Sequence, residues 1–246
     1  MGEDAVKMVA QWIRESSYTV VLTGAGVSAE SGIPTFRGRD GLWNKYRPEE
    51  LATPEAFNSN PKRVWEWYKW RMELIAKAQP NLAHIVLAKM QQKDTIGPII
   101  TQNVDGLHQR AGAVDVVELH GNIWRVKCIS CSYASKLDSP PEEIPPRCPE
   151  CGSLLRPGVV WFGEPLPEQA IRRALQEASH AKLILVVGTS LQVYPAAYLP
   201  VLTKNYGGHV VIINPTPTPL DDEADLVIRR EAGEFFEKLG KELGLI

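Results

Sequence analysis

Thr23-Gly24-Ala25-Gly26-Val27-Ser28-Ala29-Glu30-Ser31-Gly32-Ile33-Pro34-Thr35-Phe36-Arg37-Gly38 follows an apolar run, residues 18–22, that reads as a buried strand. Gly24 and Gly26 carry no Cβ, so the backbone there can turn sharply and approach a ligand closely. A helix start nearby would aim free N–H groups at phosphate oxygens. The spacing Gly24-x-Gly26-x-x-Ala29 fits the dinucleotide fingerprint in its Gly/Ala form. It is not a P-loop, because no Gly-Lys-Ser/Thr follows. A glycine pattern this short also serves as a plain structural turn. The continuation from Gly32 to Gly38 tips the reading: two further glycines, a rigid proline, an aromatic and an arginine suit a loop that folds over a bound ligand.

Outward from this segment, apolar strand candidates recur at 98–101, 116–119, 183–187 and 210–213. Helical patterns separate them at 61–78, 82–92, 168–179 and 231–243. Strands alternating with helices predict an α/β fold: a Rossmann-like, doubly wound, mostly parallel sheet covered on both faces. The strand ends carry Gly24, Gln102-Asn103, His120-Gly121, Gly188-Thr189-Ser190 and Asn214. Carboxyl ends of strands line the ligand crevice of such sheets, so one shared site is expected there. Two stretches break the rhythm. Residues 128–151 are short, proline-rich and strand-poor, which suggests a small inserted module. Residues 40–79 hold Trp43, Tyr46, Phe57, Trp65, Trp67, Tyr68 and Trp70 and read as a helical insertion.

The bulk properties exclude several classes. The chain has 246 residues, a formal charge of −2 and 44% hydrophobic residues. At roughly 150 residues per domain, this allows one large domain or a large one with a small partner. The near-neutral charge gives no electrostatic case for direct nucleic-acid binding. No apolar run approaches the roughly 18 residues that a membrane span needs. Residues 1–17 mix Glu3, Asp4, Lys7, Arg14 and Glu15 into an amphipathic helical pattern, which is no secretory signal. The cytoplasm is the expected compartment.

All four cysteines fall in Cys128-x2-Cys131-x16-Cys148-x2-Cys151, the spacing of a tetrahedral zinc site made by two knuckles. Four thiolates leave no open position for water, so the expected role is structural. Iron in the same cage and a pair of disulfides are the lesser readings. His120, at a strand end with Gly121 giving room beside it, is a candidate general base. A single histidine can also be structural, and for His84, His108, His180 and His209 that reading is preferred. Asn103 and Asp105 suit either ligand contact or loop capping.

Taken together, the motifs resemble the sirtuin family in order and content. They are Gly24-Ala25-Gly26-Val27-Ser28, Gly32-Ile33-Pro34-x-Phe36-Arg37, Gln102-Asn103-Val104-Asp105, Leu119-His120-Gly121, the paired cysteines, the run from Pro157 to Glu164, Gly188-Thr189-Ser190 and Asn214-Pro215. The resemblance spans residues from about 20 to 235. It implies an NAD-dependent lysine deacylase in which the acyl oxygen of an acyl-lysine displaces nicotinamide from the ribose. The products are free lysine and O-acyl-ADP-ribose. It implies one catalytic domain over 1–246, with a Rossmann-like part at 18–39, 80–121 and 157–246, the helical insertion at 40–79 and the zinc module at 122–156. His120 would be the general base, with Asn103 beside it in the catalytic set. Gly24, Ala25, Gly26 and Ser28 would contact pyrophosphate, and Phe36 and Arg37 would cover the nicotinamide end. Gln102 and Asn103 would hold ribose and Asp105 the carboxamide. Gly188, Thr189, Ser190, Asn214 and Ala232 would line the adenosine half. An ordinary dinucleotide fold places an acidic residue some 20 residues beyond the glycines. This chain has Gly41-Leu42-Trp43-Asn44-Lys45 there, so the ribose would be held differently.

Substrate proteins would carry acyl-lysine in an extended segment added as a strand between 158–163 and 192–195. Val160 and Phe162 would wall the slot for the lysine stem. Tyr68 and Arg71, at i and i+3, share a helix face. By itself such a pair is a solvated rim contact. In this family Tyr-x-x-Arg is the pattern of the class that removes succinyl and malonyl groups, and a guanidinium with a phenol suits a terminal carboxylate. Acetyl and succinyl removal are both expected, malonyl with them. A mono-ADP-ribosyltransferase on the same scaffold is the alternative. Family members act on metabolic enzymes and chromatin proteins, so a role in transcription stays open by resemblance.

Overall fold

Strand β1, Thr19–Thr23, is buried at all five positions, as a strand covered on both faces requires. The computed structural model describes residues 2–38 and 41–246. Along the chain the strands that follow are β2 (Ile99–Thr101), β3 (Val116–Glu118), β4 (Gly121–Cys128), β5 (Ala134–Lys136), β6 (Leu155–Val159), β7 (Leu183–Val187), β8 (His209–Ile213) and β9 (Leu226–Ile228). The helices are α1 (Gly2–Glu15), α2 (Pro48–Leu51), α3 (Pro54–Ser59), α4 (Pro61–Lys77), α5 (Leu82–Gln92), α6 (Leu107–Arg110), α7 (Glu168–His180), α8 (Leu199–Asn205) and α9 (Ala232–Glu242).

Six strands form one sheet in the order β3-β2-β1-β7-β8-β9, and every neighbouring pair is parallel. This is the doubly wound, Rossmann-like arrangement expected from the alternation of strands and helices. Its two faces bury alternate residues of the same strands. Val21, Leu185 and Val211 pack towards α1, α5 and α9, while Val20, Ile184 and Val210 pack towards α7 and α8. The order in which strands are added reverses between β1 and β7, whose parallel carboxyl ends therefore open a crevice.

Three strands form a second, antiparallel sheet in the order β5-β4-β6. Residues 128–151 are strand-poor, as expected, but two strands of this sheet flank them. β4 ends at Cys128, β5 lies between the knuckles, and Arg147 bridges to Leu154. The small sheet also runs past both ends of 122–156. Strand β4 alternates Val126 and Cys128 inward with Arg125 and Lys127 outward. The cysteines and prolines beside it hide that short alternation. The two interrupting stretches are moreover one body. Trp65, Trp67, Tyr68 and Met72 of α4 share a core with Ile123, Val126, Leu155 and Trp161, and the Trp65 indole donates to the Leu155 carbonyl across 2.8 Å. Asn60 caps α4 by accepting from the Arg63 N–H, and Pro61 sits at its first position. The expected boundary between 39 and 40, and residue 1 of the N-terminal pattern, lie outside the described residues.

Candidate active site and zinc centre

The loops after β1 and β7 are built against each other. The Gly24 N–H donates to the Val187 carbonyl at 3.0 Å, and the Gly26 N–H to the Gly188 carbonyl at 2.7 Å. A Cβ on Gly24 would lie 2.6 Å from Thr189 Cβ, and one on Gly26 2.8 Å from Gly188 Cα. The glycines are thus demanded by backbone meeting backbone. The expected freedom to approach a ligand follows from this contact rather than causing it. The segment Ala25–Ser31 is a 3-10 helix rather than the start of an α-helix, and Gly32 ends it at φ 83°.

This junction forms the floor of a cavity of about 650 Å³ between the large sheet and the smaller body. Of the residues expected in the site, it gathers Gly24, Ala25 and Gly26, Phe36 and Arg37, Tyr68 and Arg71, Gln102 and Asn103, and His120. Val160 and Phe162, Gly188 to Ser190, and Asn214 complete the set. Ser28, Asp105 and Ala232 are buried and do not line the cavity; beside Ala232, Glu231 does. Sequence reasoning missed Trp43, Trp67 and Val104, which also line it. For the two tryptophans the density of aromatics in 40–79 was the one signal, and it reads equally as core; for Val104 it was the place between Asn103 and Asp105. Beyond β6 the wall is not an extended segment throughout: Trp161 and Glu164 close a turn through the Glu164 N–H to Trp161 carbonyl bond at 3.1 Å.

His120 follows β3 and offers its Nδ1 to the carbonyl of Gln102 at 2.9 Å. A carbonyl only accepts, so Nδ1 carries the proton and Nε2 is the unprotonated nitrogen. Burial pulls the imidazole below its usual pKa, against the opposing hydrogen bond to Gln102. The group is therefore neutral at neutral pH and able to take a proton.

Beneath the cavity runs a closed polar network. Ser28 Oγ donates to Asp105 Oδ2 at 2.8 Å and accepts from Asn103 Nδ2 at 3.2 Å. His84 Nδ1 accepts from the Asn81 N–H at 3.3 Å, which leaves Nε2–H to face Ser28 Oγ at 3.3 Å. Asp105 Oδ1 accepts from the Leu107 N–H at 2.9 Å. Both carboxylate oxygens of Asp105 are thus engaged within the protein. Burial raises its pKa, with the Leu107 and Ser28 hydrogen bonds opposing. In this arrangement Ser28 and Asp105 support Asn103 from below.

At the other end, Arg71 is 8% exposed and Tyr68 2%, so the rim-contact reading of this pair fails. The Arg71 guanidinium lies 4.8 Å from the ring centres of Phe36 and Trp67 and 5.8 Å from that of Tyr68. Among the described residues it has no hydrogen-bond partner and no ion pair. Burial lowers its pKa, while Tyr68 and Asp105 oppose. The result is a largely buried cation stacked among aromatic faces, which Asp105 attracts but does not pair with.

The four cysteine sulfurs lie within 4.8 Å of one another. Cys128 and Cys151 are 3.5 Å apart and Cys131 and Cys148 3.6 Å. A tetrahedron with Zn–S of about 2.3 Å has edges of about 3.8 Å, so the donor set fits Zn²⁺. It would bind through four thiolates at the end of the small sheet, away from the cavity, and serve as a structural metal.

The model of the Sir2 family matches residues 24–195. An NAD-dependent protein deacylase of Aquifex aeolicus is 56% identical, over 92% of this chain and 95% of its own. NAD-dependent protein deacylase 2 of Pyrobaculum aerophilum is 54% identical, over 96% and 94%. The crystal structure of a Sir2 homolog–NAD complex superposes with a TM-score of 0.92 at 52% identity, covering 97% of this chain and 93% of that one. A Sir2–p53 peptide–NAD⁺ structure superposes at 0.88 with 40% identity, covering 98% and 99%. With a family model over residues 24–195, relatives more than half identical over nearly the whole chain and a fold that superposes, the chain belongs to the Sir2 family.

Proposed function

We propose that this chain is an NAD-dependent protein lysine deacylase that removes acetyl groups and, through Tyr68 and Arg71, acidic acyl groups of the succinyl and malonyl kind. Nicotinamide and O-acyl-ADP-ribose would be the other products. Bound NAD would supply an electrophilic ribose carbon once nicotinamide leaves. His120 Nε2 takes the proton of a ribose hydroxyl, its tautomer held by Gln102. Asn103, braced from below by Ser28, orients the ribose. Gly24 to Gly26 and Gly188 to Ser190 hold the rest of the dinucleotide at the strand ends, and Phe36 screens the nicotinamide end.

The observation that carries the acyl preference is the Arg71 guanidinium in the cavity wall, which has neither an ion pair nor a hydrogen bond among the described residues. A buried cation without a partner is costly, and a carboxylate at the end of the acyl chain removes that cost with two parallel hydrogen bonds. An acetyl group offers it nothing. The acyl-lysine enters between Val160 and Phe162, and its peptide runs as an added strand between 158–163 and 192–195. Phe162 is 43% exposed, as a slot wall open to an incoming chain should be.

The test is turnover of matched acetyl-, malonyl- and succinyl-lysine peptides with NAD, products identified by mass. Arg71→Met should cut desuccinylation by about 30-fold or more, a loss of at least 2 kcal/mol for a charged bidentate contact, and largely spare deacetylation. Equal loss on all three peptides would overturn the acyl assignment. ADP-ribosylated protein in place of free lysine would favour the mono-ADP-ribosyltransferase reading instead.

A further inference from the structure

Tyr68 sits beside Arg71 on α4, and its phenol oxygen accepts the Trp161 Nε1–H at 2.9 Å. Indole is a donor only, so this bond has one direction. The phenol's own proton has no acceptor among the described residues. Tyr68 is therefore left with a free donor and an occupied acceptor, in the wall of the same cavity as the Arg71 guanidinium.

Trp161 is itself fixed from behind. The Arg156 guanidinium carbon lies 3.5 Å from its ring centre. Arg156 reaches Glu164 with two nitrogens, at 2.5 and 2.8 Å. Glu164 Oε2 in turn accepts the Trp161 N–H at 2.9 Å. Phe57 packs against the indole with ring centres 5.3 Å apart. The main chain of Trp161 is held by Glu164 and its ring by Arg156 and Phe57, so the indole N–H has a set direction.

We infer that Trp161 is a specificity-determining positioning residue: its indole N–H turns Tyr68 into a pure donor, matched to the carboxylate of an acidic acyl group. Trp161 does not touch that carboxylate; it acts through the phenol. The inference rests on the acidic-acyl reading of Tyr68 and Arg71, and refines it by naming what sets the phenol's polarity. Without the indole N–H, the phenol is free to rotate and to accept as well as donate, and its match to an acceptor-only carboxylate weakens.

The experiment is a double-mutant cycle on the whole chain, zinc-loaded, with NAD and peptides that differ only in acetyl or succinyl on one lysine. The variants are Trp161→Phe, Tyr68→Phe and both together. Trp161→Phe keeps an aromatic ring over Arg156 and removes only the N–H and the second ring. The readout is the ratio of desuccinylation to deacetylation in kcat/KM, which a general loss of folded enzyme does not move. Trp161→Phe should lower this ratio by about three- to tenfold, the worth of one weakened hydrogen bond to a charged group. The double variant should match Tyr68→Phe alone, because the effect passes through one hydroxyl. An unchanged ratio in Trp161→Phe, with the ratio lowered in Tyr68→Phe, would overturn the role of Trp161 and leave the acyl reading standing. So would independent, additive losses. An unchanged ratio in Tyr68→Phe would overturn the acyl reading itself, and this inference with it.

Discussion

One hydrogen bond joins His120 to Gln102: the imidazole Nδ1–H donates to the main-chain carbonyl over 2.9 Å. Gln102 is tied in turn by its own N–H to the Thr23 carbonyl at 3.0 Å and by its side-chain amide to Thr189 Oγ1 at 3.0 Å. The tautomer of the base is thus fixed by the strand end itself, not by a mobile side chain. The working form is the neutral imidazole, and burial moves its pKa below the ordinary 6.5. A lowered pKa keeps the base unprotonated to lower pH. In a pH profile of kcat/KM on an acetyl-lysine peptide, the acid limb should therefore fall below about 6.5. His120→Ala should lose deacylation by at least about 100-fold. An acid limb centred above 7 would mean that another group titrates.

The polar layer under the cavity predicts acid sensitivity. His84 is fully buried, and burial lowers its pKa from 6.5 to about 4. His108, its neighbour at 5.0 Å between ring centres, is pushed well below the ordinary value by the same cause. The unfolded chain binds these protons first. Stability from His84 is therefore complete above about 6.5 and is lost as pH falls towards about 4. The shift is worth on the order of 3 kcal/mol. Urea unfolding at a series of pH values should show the loss in that window, with a shallower slope in His84→Gln. The same slope in both proteins would clear His84 of the effect.

Much of this was legible in the chain, for reasons that differ from part to part. Strands β1, β7 and β8 announce themselves because burial on both faces makes them continuous apolar runs. β9 does not: three residues between Asp225 and Arg229 at the edge of the sheet are too short to show a period. The cysteine spacing and the glycine loops speak locally, since a few covalent neighbours set their chemistry. What the sequence hides is contact between distant segments. Nothing in 40–79 alone says that Trp65 reaches Leu155, or that Tyr68 meets Trp161. Ser28 and Asp105 carry family motifs, yet their burial beneath Asn103 depends on how β1, β2 and α5 converge.

Gly188 offers a steric test of the loop junction. It sits at φ 60°, and a Cβ there would lie 2.3 Å from the Val27 nitrogen and 2.6 Å from the Gly26 carbonyl carbon. Both obstacles are backbone, so neither can rotate away. Gly188→Ala should destabilise the protein by more than about 2 kcal/mol and weaken NAD binding, as read by thermal unfolding and by titration with NAD. Gly163, also at positive φ but with open space around its Cβ position, is the control: alanine there should cost about 1 kcal/mol from conformation alone. Equal effects at the two sites would show that the loops do not need their close approach.

The zinc cage makes the last prediction, because it staples the end of the small sheet whose core is shared with α4. Cys128 stands at the end of β4, Cys131 just beyond it, and Cys148 and Cys151 precede β6. Closing the cage therefore fixes the ends of β4 and β6 against each other. Those strands carry Ile123, Val126, Leu155 and Val159, which form the floor under α4. Loss of the metal should loosen that floor and, through it, Tyr68 and Trp161 in the cavity wall, while the large parallel sheet keeps its own two cores. Cys148→Ala should release zinc, lower the melting temperature and reduce deacylation together, with far-ultraviolet circular dichroism retained for most of the helices. Zinc measured by atomic absorption, set beside melting curves with and without chelator, checks this directly. A metal-free Cys148→Ala protein that melts at the parent temperature would remove the structural role from the cage.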